Sequence, residues 1–225
     1  DALSRLVGVT DGTGAAVSYG YDNVGNLVSR TNGNGNVTTY EYDLAGRLTG
    51  TTNARGETTA NAYDAAGSLV HTTLPSGKEI AYDYDALDRL VEKSYSAGET
   101  GVAYAYNADG DLVSMRDATG DSTFTYDAAG RLASYTNAFS ATVGYAYNEN
   151  GEISAITYPD GKTVFYEYDA LGRMAKVTGR DGGETIYEYD AQDNVTKVTR
   201  ADGSITTAEY DALGRVETLT NYDGT

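Results

Sequence analysis

From its first residue to its last the chain repeats itself every 21 residues, and that period leaves few folds open to it. A Tyr-Asp or Tyr-Asn pair begins at Tyr21, Tyr42, Tyr63, Tyr84, Tyr106, Tyr126, Tyr147, Tyr168, Tyr189 and Tyr210. The second members are Asp22, Asp43, Asp64, Asp85, Asn107, Asp127, Asn148, Asp169, Asp190 and Asp211. The spacing departs from 21 only once, where an interval of 22 is followed by one of 20, so an insertion and a deletion cancel. Asp1 lies 21 residues before Asp22 and opens an eleventh unit that lacks only its tyrosine.

Other positions keep the same beat. Four residues after the tyrosine stands Gly25, Gly46, Gly67, Gly110, Gly130, Gly151, Gly172 or Gly214, with Ser4, Asp88 and Asp193 in the remaining units. Six after it stands an aliphatic or Met, from Leu6 and Leu27 to Met174, Val195 and Val216. Fourteen after it comes a second glycine, from Gly14 and Gly35 to Gly203 and Gly224, with Ser140 as the exception. Two before it there is usually another aromatic, such as Tyr40, Tyr82 or Phe124, with Asn61 and Ala208 breaking the rule. The Tyr, Asp/Asn and Gly positions are therefore read as structural anchors of the repeat.

Two glycine-containing turns per 21 residues leave about six residues for each connecting segment, a strand length and too short for a stable helix. The segments are rich in Tyr, Thr and Val, which favours strand. The two aromatics of a segment are separated by one residue, so both rings leave the same face. Between them stand mostly small or acidic residues, including Glu41, Asp83, Glu167, Glu188 and Glu209, which predicts one packed face and one wet face. The Asp or Asn caps its turn with its side chain, and glycine supplies positive φ without steric cost. Asp160-Gly161, Asp202-Gly203 and Ser76-Gly77 are hairpin signals at the other turn. In the second strand the aliphatics at six and at nine past the tyrosine, as in Met174 and Val177, have opposite parity. A bulge between them, or burial on both faces, reconciles the two.

The expected fold is all-β: a continuous antiparallel array of β-hairpins, about 21 strands over residues 1–225 as a single repeat array. At roughly 4.8 Å per strand such a sheet would run on the order of 100 Å, and it must coil into a spiral, tube or shell wall. Ladders of tyrosine rings from successive hairpins are expected to stabilise it, each cross-strand pair by roughly 0.2–1 kcal/mol.

Composition removes several functions. With no cysteine there is no disulfide, thiolate metal site or cysteine nucleophile, and with one histidine there is no multi-histidine site. A net charge of -17 repels phosphate backbones, so no nucleic-acid partner is expected. No segment is long and apolar enough to suggest membrane insertion by a helix. With few Leu, Ile and Phe, the 21 tyrosines must supply much of the packing.

The segments YDLAGRL, YDAAGRL, YDALGRM and YDALGRV, in phase along the whole chain, resemble the YD or Rhs repeat family. That resemblance implies a long coiled sheet forming a hollow shell. Bacterial relatives include polymorphic toxins and the cocoons of insecticidal toxin complexes, in which the shell encloses a toxic C-terminal domain, and animal teneurins use a similar barrel in adhesion. It also implies secretion or display at the cell surface. The chain departs from the full family plan: it shows no shell-closing segment with an Asp-Pro-containing autoprotease motif and no variable toxin domain. It is therefore expected to be a segment of a longer array.

Candidate sites are few. His71 occupies a place filled elsewhere by Ser29, Gly50, Glu92, Ser114 and Lys176, which marks a tolerated surface strand position rather than a catalytic one. No Ser-His-Asp set forms around one histidine, so no catalytic residue, cofactor or catalytic metal is expected. Carboxylates are densest at Asn107–Asp111 and Asp181–Glu184, where a structural calcium ion is the alternative to turn capping. Arg5, Arg47, Arg89, Arg131, Arg173 and Arg215, five past the tyrosine, are expected to pair with a turn Asp or stack on a tyrosine ring. Asn36-Val37-Thr38 and Asn194-Val195-Thr196 match the glycosylation triplet, and exposed tyrosines suggest a weak capacity for sugar. The expected function is a non-catalytic wall of a hollow shell that encloses a toxin or effector. The alternative is an adhesion or assembly module that self-associates through its sheet edges.

Overall fold

The computed structural model describes residues 1–12, 14 and 16–224. Its 21 strands belong to one antiparallel sheet. The first ten are β1 (Gly8–Thr10), β2 (Ala16–Tyr21), β3 (Leu27–Thr31), β4 (Val37–Tyr42), β5 (Leu48–Thr52), β6 (Thr58–Tyr63), β7 (Leu69–Thr73), β8 (Glu79–Tyr84), β9 (Leu90–Tyr95) and β10 (Val102–Tyr106). The other eleven are β11 (Leu112–Asp117), β12 (Gly120–Tyr126), β13 (Leu132–Thr136), β14 (Thr142–Tyr147), β15 (Ile153–Thr157), β16 (Thr163–Tyr168), β17 (Met174–Thr178), β18 (Glu184–Tyr189), β19 (Val195–Thr199), β20 (Ile205–Tyr210) and β21 (Val216–Tyr222). The chain divides into two units, Asp1–Ala105 with Met115–Ala118, and Tyr106–Ser114 with the chain from Thr119 onward. The irregular spacing falls at this division. The inserted residue is absorbed by a 3-10 turn at Ser96–Gly98, and the deleted one by the two-residue link between β11 and β12.

Both kinds of turn are built alike. In the first kind, Gly46 N–H donates to the Asp43 carbonyl at 3.0 Å and Asp43 N–H to the Arg47 carbonyl at 3.0 Å. In the second, Gly35 N–H donates to the Asn32 carbonyl and Asn32 N–H to the Asn36 carbonyl, each at 2.9 Å. This is a three-residue loop closed by a residue in the left-handed region. Among the described residues, the four non-glycine residues with positive φ are Ser4, Asp88, Ser140 and Asp193, with φ of 57–67°, and they are the four that replace glycine in the repeat. Asp tolerates this region because its short side chain bonds locally. Gly224 is the one expected turn glycine outside the region.

A bulge resolves the parity problem of the second strand. In nine hairpins the register slips by one residue just before the tyrosine of the YD pair. In β16–β17, Tyr168 faces Met174 while Tyr166 faces Val177, so one residue is extra on β17. The positions at six and nine past the tyrosine thereby share the face of the two aromatics. On the opposite, exposed face, Glu167 and Glu188 stand directly across from Lys176 and Lys197 and pair with them at 2.6 and 2.8 Å.

The core is thin. Among the described residues Ile80, at 8% exposure, is the one buried hydrophobic side chain, and the tyrosines of the packed face are half-buried. The chain exposes 14176 Å². A compact monomer of this length would expose roughly 9,900 Å². The sheet therefore draws its stability from contacts between neighbouring repeats rather than from a second packed layer.

The tyrosines make those contacts differently from the expected ring ladders. Among the described residues one ring–ring pair is found, Phe124 with Tyr135 at 5.2 Å. The reason is geometric. Successive YD tyrosines lie two strands apart, about 9.6 Å, beyond stacking distance. Each hydroxyl instead reaches back to the previous repeat. Tyr42 donates to the Leu27 carbonyl at 3.0 Å, and Tyr63, Tyr84, Tyr147, Tyr168, Tyr189 and Tyr210 make the same bond at 2.8–2.9 Å to Leu48, Leu69, Leu132, Ile153, Met174 and Val195. Tyr21 and Tyr126 do so to Leu6 and Leu112. The ladder between β3 and β4 ends at Ser29 opposite Thr39, so the phenol extends the pairing past the point where the two strands part.

Candidate functional site

Within each unit the YD turns lie at one end of the strands, and the junction between consecutive turns concentrates the polar chemistry of the chain. Each turn Asp caps its own loop. Asp43 Oδ1 accepts the N–H groups of Ala45 and Arg47 at 2.9 and 3.0 Å, and its Oδ2 accepts Arg47 Nε at 2.7 Å. Asp85, Asp127, Asp169 and Asp211 repeat the arrangement with Arg89, Arg131, Arg173 and Arg215. Hydrogen bonds from the arginine backbone and side chain hold the Asp43 carboxyl below its ordinary range. At Asp22, burial pushes upward, but the bonds from Asn26, Gly25 and Val24 outweigh it and the carboxyl is again lowered.

The arginine also joins its own turn to the next one. Arg47 lies over the Tyr63 ring at 4.9 Å and donates through Nη1 to the Asp64 carbonyl at 2.9 Å. Arg5 covers Tyr21 at 4.7 Å, Arg131 covers Tyr147 at 4.4 Å and Arg173 covers Tyr189 at 4.5 Å. The carboxylate pairing and the ring stacking expected as alternatives thus occur together. Where no following tyrosine strand is described, Arg215 keeps its aspartate partner but its side chain is 75% exposed, against 23% for Arg173.

These arginines stand 42 residues apart, at every second junction. The intervening junctions carry Asn26, Ser68, Asp111, Glu152 and Asn194 at the same place. The structural unit is therefore a pair of hairpins with two unlike junctions. The constant spacing of the arginines carries this signal in the sequence, where grouping them by turn alone conceals it.

Three clefts lie at junctions of the second kind. One of about 850 Å³ follows Asn26 and is lined by Asp22, Glu41, Tyr42, Asp43 and Leu44 among others. One of about 800 Å³ follows Asn194, between Asp190 and the Tyr210-Asp211 turn, and one of about 580 Å³ follows Asp111, beside Tyr126 and Asp127. In each, the short side chain bonds back within its own turn. Asn26 Nδ2 donates to Asp22 Oδ2 at 2.9 Å, Asn194 Nδ2 to Asp190 Oδ2 at 2.9 Å, and Asp111 accepts from Asn107 Nδ2 at 3.0 Å. Two smaller clefts, about 450 and 380 Å³, lie between turns of the other kind.

The remaining candidates stand apart from this geometry. His71 lies in β7 between Ala62 and Ala81 of the neighbouring strands, with Nε2 4.0 Å from Glu79 Oε1. Among the described residues no group of three or more His, Asp or Glu is arranged to hold a metal ion. The carboxylate-dense patches form turn caps: Asn107 accepts the N–H groups of Asp109 and Asp111, and Asp181 accepts that of Gly183. Asn194 is engaged with Asp190, whereas Asn36 is exposed in its turn. Among the described residues no helix is long and apolar enough to cross a membrane.

Comparison with known proteins adds to this picture. The family model described as RHS repeat matches residues 1–37, 21–58, 63–100, 168–205 and 189–225, together more than half of the chain. The model described as teneurin YD-shell matches residues 97–179. No curated protein matches the chain in sequence. Among solved structures, a chain of the TcdB2-TccC3-Cdc42 crystal structure is similar with a TM-score of 0.72 and 15% identity, over 92% of this chain and 12% of that one. A chain of the Photorhabdus luminescens Tc holotoxin pore has a TM-score of 0.56 and 15% identity, over 94% of this chain and 14% of that one. TcdB2-TccC3 without its hypervariable C-terminal region has a TM-score of 0.56 and 15% identity, over 93% and 15%. This chain thus spans less than a sixth of the length of the structures it resembles.

Proposed function

This chain belongs to the RHS repeat family, and from that premise we propose that it is a non-catalytic wall segment of a hollow β-shell enclosing a toxin or effector segment of a secreted protein. One observation carries the reading. Every regular junction is bridged by a tyrosine hydroxyl that satisfies a backbone carbonyl of the preceding repeat, so the array is built to continue from hairpin to hairpin as a wall does. The YD tyrosines, turn Asp/Asn residues and turn glycines act as its anchors, and residues 1–225 act as one array. The likeness to chains of Tc toxin structures supports the same reading at the level of fold. The test is proteolysis of an intact protein that carries this array with an enclosed segment. That segment should resist a protease that cuts the isolated segment readily. Cleavage at the same rate in both forms would overturn encapsulation.

A second reading rests on the sheet ends. Among the described residues β1 is paired on one side only, with β2, and β21 only with β20. An open edge is a template for another strand. If the chain is instead an assembly module, sedimentation of the isolated array across a hundredfold range of concentration should show growing species. A constant monomer would remove this reading.

A further inference from the structure

We propose that the clefts following Asn26, Asp111 and Asn194 are receptor sites for arginine side chains presented by a protein partner. The molecule supplies its own template. At the alternate junctions the same turns and the same tyrosine hold a guanidinium from within the chain. Arg47 lies over the Tyr63 ring while donating to the Asp43 carboxylate and the Asp64 carbonyl. Arg173 repeats this with Tyr189, Asp169 and the Asp190 carbonyl at 3.2 Å. After Asn26 the corresponding groups are Tyr42, Asp22 and Asp43, and all three line a cleft of about 850 Å³ in place of an arginine.

The chemistry of this cleft selects a guanidinium. Asp22 accepts bonds from neutral donors, the N–H groups of residues 24–26 and the Asn26 amide, so its negative charge is not compensated there as that of Asp43 is by Arg47. Asp22 Oδ2 receives the Asn26 amide, which leaves it capacity for a further donor. Exposed Val24 and Leu44 flank the cleft and offer apolar surface to the methylene stem of an arginine. The cleft after Asn194 presents Tyr210, Asp190, Asp211 and exposed Leu213, and that after Asp111 presents Tyr126, Asp109 and Asp111. A planar group that stacks on a ring while donating to a carboxylate and a carbonyl is served by arginine and not by lysine. The net charge of -17 favours encounter with a basic segment. The inference is independent of whether the array encloses a cargo, because the clefts belong to the YD-turn rim itself.

The experiment is an NMR titration of the full chain with the capped tripeptide Gly-Arg-Gly and with its lysine counterpart. Amide shifts should be confined to residues lining the three clefts, and the arginine peptide should bind at least about five-fold more tightly than the lysine peptide. The variant Asn26→Arg/Asp111→Arg/Asn194→Arg places at each cleft the side chain found at the neighbouring junctions and should abolish those shifts. A charge-matched control with arginines at the opposite rim (Asn34→Arg/Ala54→Arg/Ala118→Arg/Ala201→Arg) should retain them. Equal binding of the two peptides, shifts spread over the acidic surface, or unchanged binding by the cleft-filled variant would each overturn the proposal. If the cleft-filled variant fails to fold, the selectivity and location of binding on the unaltered chain decide the matter alone.

Discussion

The junction that follows Arg47 and the junction that follows Asn26 rest on the same bulged hairpins, the same capped turns and the same tyrosine-to-carbonyl bond, yet one is closed by a side chain and the other is open. The closed junction joins two turns through a carboxylate, a ring and a carbonyl at once. At the open junction the amide of Asn26 bonds within its own turn and leaves a cleft. The difference separates what continues the sheet from what reinforces it. The tyrosine hydroxyl is common to both junctions and maintains the ladder, whereas the arginine is an addition present at half of them.

Substitutions at matched positions sharpen this contrast. The largest effect is expected from removing a whole ring. Tyr63→Ala should destabilise the array by about 2–4 kcal/mol, because packing, the bond to Leu48 and the arginine's platform are lost together. Tyr42→Ala, at an open junction, should cost about 1 kcal/mol less. Urea unfolding of the two variants side by side makes the measurement, and equal losses would show that the arginine adds nothing. Next come Tyr63→Phe and Tyr42→Phe, each expected to cost about 1 kcal/mol for an unsatisfied carbonyl. Here the two junctions should agree, and a large disagreement in the same assay would tie the hydroxyl bond to the arginine. A smaller loss, about 0.5–1 kcal/mol, is expected for Arg47→Ala, whose groups are partly exposed, while Asn26→Ala should change stability by less.

The weakest discriminator is pH, which acts on both junctions. The carboxyls of Asp22, Asp43, Asp85, Asp127, Asp169 and Asp211 are all lowered below 3.8 in the folded chain. The unfolded chain therefore takes up protons first as pH falls, so their stabilisation is intact above about pH 4–5 and is lost as pH drops through the folded values. Tyr42, Tyr84, Tyr168 and Tyr189 are raised above 10.0, mainly by burial. Their contribution is complete below pH 10 and disappears as pH rises past it, because the phenolate can no longer donate to its carbonyl. Thermal unfolding followed from pH 3 to 11 should give a plateau with a fall at each end. A decline that begins near neutrality would contradict both assignments.

Much of the fold was legible because the repeat states the same fact many times. Ser4, Asp88, Ser140 and Asp193 fell into register with glycines, and their backbones adopt the conformation that glycine favours. The parity conflict between Met174 and Val177 announced a fault in the ladder, and the register of β16 with β17 shows it to be a bulge. The tyrosine layer departs from the expected ring ladders for a simple reason. Same-face periodicity places rings along one strand but carries no distance across strands, and the intervening strand holds them apart. The bond from Tyr42 to Leu27 spans 15 residues and depends on where the β3–β4 ladder stops, which no local pattern encodes. The candidate clefts were hidden differently: the arginines were visible, but their absence at alternate turns matters only once the structure shows what they fill.

The pairing of unlike junctions has a consequence for how such arrays lengthen. Tandem duplication of two hairpins, or of any even number, reproduces the existing alternation of junctions with and without an arginine. Duplication or loss of a single hairpin sets two like junctions side by side without disturbing the backbone. Copy-number change in the gene can therefore be silent for folding while it rewrites the pattern presented along the rim.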